Sequence, residues 1–322
     1  MIPRRWLLAG LSTLSRAALA QPAWQPERPI RLVVPFPAGG PTDLVARPLA
    51  QRLSDVLGQP VVVDNRGGAG GNLGAEQVVR AAPDGHTLLL SNVGVLAVNQ
   101  SLYRSLPFDP ERDFTPIALV AGAPVALVVN AAVPVRTVVE FVAWTQVQAA
   151  PVPYGTAGPG TPGHLAGEVF RTLTGAKLQH LPYRGSAPAL QDLVAGHVPA
   201  MFDPVQSPLG QIAAGRLRAL AVSAPVRSPA LPATPTMREA GVANHEMVAW
   251  WAVVGPAGLP RPVIARLADE IRRISDNASW RDGLAQLGIS PLFMSSGELA
   301  TFRRAETTKW GAAVRASGAT AE

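Results

Sequence analysis

Three features of the 322-residue chain predict an α/β protein built as two lobes, each a mainly parallel sheet flanked by helices. Short β-branched runs alternate with amphipathic segments, the rhythm of βαβ units. Two glycine-rich turns, residues 35–43 (PFPAGGPTD) and 154–164 (YGTAGPGTPGH), each join such a run to a following helix. The two turns lie in opposite halves of the chain, and the rhythm restarts between them.

The first strand, residues 30–34 (IRLVV), ends at Pro35. Residues 44–57 then space Leu44, Val45, Leu49, Leu53, Val56 and Leu57 along a helix that Gly58 closes. Residues 61–63 (VVV) read as a buried strand ahead of a second glycine-rich stretch, and a helix is expected over 73–82. A turn at Pro83-Asp84-Gly85-His86 leads to a third strand, 87–90, ending at Ser91 and Asn92. Residues 117–120 and 125–129 read as two strands flanking Gly122-Ala123-Pro124.

In the second half, residues 138–148 are expected as helix, 152–154 as strand and 165–173 as helix up to Gly175. Residues 177–182 follow as strand, 187–195 as helix, 198–202 as a strand ending on Asp203, and 217–222 as strand. The proline-rich 224–241 reads as an irregular connection. Residues 248–254 are a strand, 262–275 a helix with Pro262 in its first turn, and 279–287 and 296–315 further helices. The C-terminal section is expected to pack back on the first half. Lobe 1 then spans 26–122 and 246–322, and lobe 2 spans 123–245.

With 48% hydrophobic and 16% charged residues, the chain is globular rather than disordered. Half of its formal charge of +6 sits on Arg4, Arg5 and Arg16, and the remaining +3 is scattered over the rest, too mild for a nucleic-acid partner. The basic start, the short apolar stretch behind it and Ala18-Leu19-Ala20 fit an export signal over residues 1–20, cleaved near Ala20. Arg4-Arg5 also fits a twin-arginine route. The mature chain is expected beyond the inner membrane, in the periplasm. It has no cysteine, hence no disulfide, thiolate metal site or cysteine nucleophile.

The two glycine turns are the candidate binding elements. A helix start offers unpaired N–H groups and a positive dipole end, and glycine lets the main chain approach an anion closely. Residues 158–163 (GPGTPG) match the spacing of a dinucleotide turn, but Tyr183 and Arg184 stand where a ribose-binding acid is needed. His164 and Glu168 have the spacing of two helix-borne metal ligands but lack an evident third. No G-x-S-x-G, H-E-x-x-H or Walker pattern occurs. No cofactor or metal is therefore expected. Asp203, at a strand end, suits hydrogen bonding to a ligand or a bridging water.

Taken in order, several segments resemble one family. They are PIRLVVPFP with Gly39-Gly40 and Thr42-Asp43, Asn65-Arg66 with residues 68–72 (GAGGN), and Pro83-Asp84-Gly85 with Thr87-Leu88-Leu89. Residues 154–158 through 164–168, Pro182-Tyr183-Arg184-Gly185, Met201-Phe202-Asp203, residues 217–222 and Lys309-Trp310 continue the series. The set resembles the Bug extracytoplasmic solute receptors, the substrate-binding proteins of tripartite tricarboxylate transporters.

The resemblance implies a two-domain periplasmic-binding-protein fold with two crossover strands, no catalysis, and a monomer that closes on a small carboxylate and delivers it to membrane subunits. By position it nominates Phe36, Ala38, Thr42, Asp43, Ser91, Asn92, Gly155, Thr156, Ala157, Gly160, Thr161, His164 and Asp203 as ligand-binding. Two alternatives stay open at this point: a receptor feeding a sensor kinase, and an exported α/β enzyme using His164 and Asp203 as acid and base. The chain departs from the family pattern at Ala38 and Gly67, where proline is common, and at His86, a usual tyrosine. Ala38 is expected to loosen the ligand turn, and the other two to lie away from the cleft.

Overall fold

A computed structural model describes residues 24–321; the expected export signal lies outside the described residues. Strand β1 (Ile30–Val34) leads through the first glycine turn into α1 (Pro41–Leu57), which stops where Gly58 turns left-handed (φ 69) and donates its N–H to the Ser54 carbonyl. Then come β2 (Val61–Asn65), α2 (Asn72–Val79), β3 (Thr87–Asn92), and a π-helical turn at Gly94–Val98 running into the short α3 (Asn99–Leu102). The expected pair of strands over 117–129 is one continuous element, β4 (Phe114–Asn130, 17 residues).

The second half consists of α4 (Val138–Gln146), β5 (Val152–Thr156), α5 (Pro162–Thr174), β6 (Leu178–Pro182), α6 (Ser186–Ala195), β7 (Ala200–Pro204), α7 (Leu209–Ala213) and β8 (Leu217–Val222). The chain returns through β9 (Val248–Pro256), α8 (Arg261–Asp276), α9 (Ala278–Gln286), β10 (Ser290–Met294) and α10 (Ser296–Ser317). Helix α10 opens with a capping box, in which the Ser295 backbone and Glu298 side chain satisfy one another.

The sheet runs β2-β1-β3-β9-β4-β7-β5-β6, with β10 and β8 also on β4. Pairings among β1, β2 and β3, and among β5, β6 and β7, are parallel, while β9 and β4 run antiparallel to their neighbours. β4 joins the two halves. Its residues 114–124 pair with β9, and its residues 125–129 pair with β7. Pro124, which suggested a break, sits where the partner changes: it is the last residue paired with β9, and its carbonyl accepts the Val205 N–H at 3.0 Å. The Ser223 hydroxyl seals this point, accepting from the Val125 N–H at 3.1 Å and lying 2.7 Å from the Met247 carbonyl.

The chain therefore crosses between halves twice, along β4 and back through the irregular 223–247. The sequence signals missed α3 and β10, and α7 is only five residues long.

One continuous hydrophobic core runs through both halves. Around β7, the rings of Tyr154, Phe170 and Phe202 meet at centroid distances of 5.5 Å. At the other end, α10 is anchored by Glu306, whose Oε2 accepts from the indole of Trp250 (2.9 Å) and from that of Trp310 (2.7 Å). Glu306→Ala leaves two buried indole N–H groups unpaired, at about 1–3 kcal/mol each. Denaturant unfolding is expected to show a loss of about 2–4 kcal/mol, with Glu306→Gln, which keeps an acceptor, costing clearly less.

Candidate functional site

Five strands end at a single crevice between the two halves. The turn after β1 contributes Phe36, Pro37, Ala38, Gly40, Pro41 and Thr42, and the end of β3 adds Asn92. The turn after β5 gives Ala157, Thr161 and Pro162, the turn after β6 gives residues 185–187, and the end of β7 gives Asp203 and Pro204. They surround ≈ 420 Å³ of atom-free space, mouth included. The carboxyl ends of parallel strands are the usual place for a ligand in an open α/β sheet.

No Lys, Arg or His is among the described residues that line this space. Its positive potential comes from the main chain. Helices α1, α5 and α6, of 17, 13 and 10 residues, all begin at the crevice, and none has a side chain capping its first turn. An uncapped first turn keeps its N–H groups free for a ligand. Pro41 and Pro162 occupy positions where a helix has no use for an N–H anyway.

Two side chains add donors. Thr42 accepts the Trp251 indole N–H at 3.0 Å, which leaves its own hydroxyl proton free to donate. Asn92 spends its carbonyl oxygen on the Gly94 N–H at 2.9 Å, which leaves its amide group as a donor.

Asp203 is the acid at this site. It is 1% exposed, Ser186 donates to its Oδ1 at 3.0 Å, and its Oδ2 has no hydrogen-bond partner among the described residues. Burial pushes its carboxyl up to about 7, which hydrogen bonding to the charged form only partly offsets.

Of the thirteen nominated residues, Phe36, Ala38, Thr42, Asn92, Ala157, Thr161 and Asp203 line the crevice. The others are outside its lining, Gly160 at the lip and the rest behind. Asp43 braces the first turn, accepting from the Gly39 N–H (2.9 Å), Arg47 (2.7 Å) and Asn65 (3.0 Å). Burial would raise its carboxyl, but these bonds, Arg47 foremost, hold it below the usual range.

Thr156 accepts from the Gly158 N–H at 3.2 Å and lies 2.7 Å from His180 Nε2. His164 accepts the Gly160 N–H on Nδ1, and its ring stacks on His180 at 4.0 Å. Burial brings His164 down to about 4 and His180 to about 3, so both stay uncharged near neutral pH. Glu168, read as a possible metal partner of His164, instead accepts the Tyr154 hydroxyl at 2.7 Å and pairs with Arg171 at 2.9 Å. Gly155 lies beneath the Tyr183 ring, and Ser91 is fully buried beside Asn92.

The matching family model is that of the tripartite tricarboxylate transporter family receptor, over residues 45–319. The chain belongs to this receptor family. A protein of the tcbD–tcbE intergenic region of Pseudomonas sp. is 40% identical over 96% of this chain and 93% of its own length. Protein BugT of Bordetella pertussis is 36% identical over 96% and 95%. Among solved structures, Rpa4515 of R. palustris with adipate superposes at a TM-score of 0.89, with 35% identity over 92% of this chain and 99% of that one. The periplasmic binding protein BugD gives 0.87 and 34% over 92% and 100%. MatC of Rhodopseudomonas palustris with bound malate gives 0.86 and 33% over 90% and 99%.

Four crevice residues of this receptor lie outside both glycine turns and the nominated set: Pro204, beside Asp203, and Gly185, Ser186 and Ala187. The signal for the last three was present, because β6 ends at Pro182 and a glycine then precedes a serine-led helix, a third strand–glycine–helix turn like the two singled out. Gly67 was expected away from the cleft, but it borders a second hollow beside the crevice, and a Cβ there would come within 3.1 Å of the Pro37 ring. His86 does lie apart, edge-on to Trp24.

The two lips of the crevice touch through glycine. A Cβ on Gly70 would come within 2.6 Å of the Pro159 carbonyl, one on Gly94 within 2.6 Å of the Gly160 carbonyl, and one on Gly160 within 2.1 Å of Asn99 Oδ1. Gly160 is also left-handed, with φ 73. Gly160→Ala is expected to cost about 1–2 kcal/mol in backbone strain and to force the lips apart. Small-angle scattering should then give a larger radius of gyration than wild type; an unchanged radius would contradict this account of the contact.

Proposed function

We propose that the protein is a periplasmic substrate-binding receptor that captures a small carboxylate in the crevice and delivers it to the membrane subunits of a tripartite tricarboxylate-type transporter. The observation that carries this reading is the convergence of three uncapped helix starts on one buried space without a cationic side chain. A carboxylate offers up to four lone-pair sites in one plane, and main-chain N–H groups from opposite walls can fill them without arginine. Family membership supports the same role, as do the relatives named with adipate and malate.

In this reading residues 26–122 with 246–322 form one lobe and residues 123–245 the other, and the ligand bridges them. Binding then closes the cleft, because only the closed form offers amides from both sides. The nominated residues divide into two sets. Phe36, Ala38, Thr42, Asn92, Ala157, Thr161 and Asp203 face the ligand, with Gly185, Ser186 and Ala187 added. Asp43, Ser91, Gly155, Thr156, Gly160 and His164 hold the turns in shape. The receptor acts without catalysis: the histidine that might serve as a base has its Nδ1 engaged by the Gly160 N–H.

Mass spectrometry of small molecules retained by protein purified without denaturation is expected to reveal a carboxylate returned unchanged, and a chemically altered one would sink the receptor reading. A thermal-shift screen of carboxylates, adipate and malate included, gives the working ligand. With it, Thr42→Val is expected to weaken binding about ten- to a hundredfold in titration calorimetry, the worth of one charge-assisted hydrogen bond of about 1.5–3 kcal/mol. Thr42→Ser, which keeps the hydroxyl, should stay near wild type.

A further inference from the structure

The crevice contains a contradiction that charge alone must resolve. It is built to receive an anion, yet a carboxyl group lies in its wall, and no Lys, Arg or His among the described lining residues offsets it. Two carboxylates in contact in a buried space cannot both be ionised, and one of them takes a proton. Resting on the receptor reading above, we propose that Asp203 holds the ligand's carboxylate by sharing a proton with it, so that each captured anion brings one proton into the cleft.

The geometry suits this role. Asp203 lines the crevice, its Oδ1 accepts from the Ser186 hydroxyl at 3.0 Å, and its buried Oδ2 has no hydrogen-bond partner among the described residues; the nearby Ser207 hydroxyl, also without a partner there, favours the ionised form as Ser186 does. A proton on Oδ2 makes it a donor toward an incoming carboxylate oxygen, forming an O–H···O⁻ bond of the short, strong kind. The proton comes from solvent and returns there on release.

Among the described residues, no charged group acts on Asp203 from the neighbouring elements; Arg184 lines the adjoining hollow rather than the crevice. β4 carries no ionisable residue and pairs Ala126 with Asp203. Tyr154 on β5 donates to Glu168 of α5, which pairs with Arg171. On α6, Asp192 accepts from the Tyr183 hydroxyl. At the start of α1, Asp43 is paired with Arg47. His164 on α5 and His180 on β6 are uncharged near neutral pH. Burial, set against the serine hydrogen bonds, already brings the free Asp203 carboxyl up to about 7.

The sign follows directly. The protonated carboxyl is the binding-competent form, so affinity is full below about pH 7 and falls as pH rises through it, by about tenfold per further pH unit. Titration calorimetry with adipate and with malate, from about pH 6 to about pH 9 in phosphate and in Tris, measures both the affinity and the protons taken up. The expected result is a decline above pH 7 with uptake approaching one proton per ligand at the alkaline end.

Asp203→Asn keeps a donor N–H but cannot titrate. It is expected to bind with pH-independent affinity and no uptake. Ser186→Ala removes a bond that favours the ionised form and should move the midpoint of the decline to higher pH. A flat wild-type profile without uptake overturns the proposal, as does uptake that persists in Asp203→Asn. A folded Asp203→Asn protein that no longer binds also overturns it, because Asp203 would then be an ionised acceptor for a ligand donor. Binding with a flat profile removes only this proposal. If no carboxylate raises the melting temperature even near pH 6, the receptor reading falls and the proposal falls with it.

Discussion

The geometry of the crevice depends on one strand that changes partners halfway along its length. β4 pairs with β9 up to Pro124 and with β7 from Val125 onward, so it belongs to the sheets of both halves. A break at that junction would leave the two groups of parallel strands free to take any relative orientation. The continuous ladder instead turns their carboxyl ends toward one another. Pro124 sits at the handover itself, and Ser223 closes the gap by bonding to both crossing segments.

With the strand ends facing each other, the helix starts converge as well. A first turn in water is solvated and unremarkable. Three first turns aimed at one small, buried space are a concentrated set of donors that water or an acidic ligand can satisfy. The polar residues around the crevice follow the same logic. Asp43, Thr156 and His164 use their hydrogen-bonding capacity to pin glycine turns, so that the main chain is aimed before any ligand arrives. Thr42 and Asn92 use one valence on the protein and keep one for the crevice.

Glycine has two separate roles in these turns. Gly39, Gly158 and Gly160 take left-handed or otherwise positive φ values that the tight geometry demands. Gly70, Gly94 and Gly160 are also bare because the opposite lip occupies the place of a side chain. Sequence spacing discloses the first role but not the second, since nothing in a turn's own composition says what will touch it from the other half.

By itself the amino-acid sequence determined the fold class, the order of nearly all strands and helices, and the two turns that face each other. These depend on local patterning: β-branched runs, 3.6-residue periodicity, and glycine or proline at helix ends. Local signals point elsewhere where tertiary context overrides them. Pro124 looks like a strand breaker until the change of partner is seen, and the short β10 and α3 are held by long-range packing rather than by propensity. Only the tertiary structure decided which nominated residues face the crevice and which brace it, that α6 supplies a third helix start, and that Asp203 is buried in a crevice whose described lining holds no cationic side chain. Each of those depends on distances between segments remote in sequence, and on the loss of water around them, which no local pattern encodes.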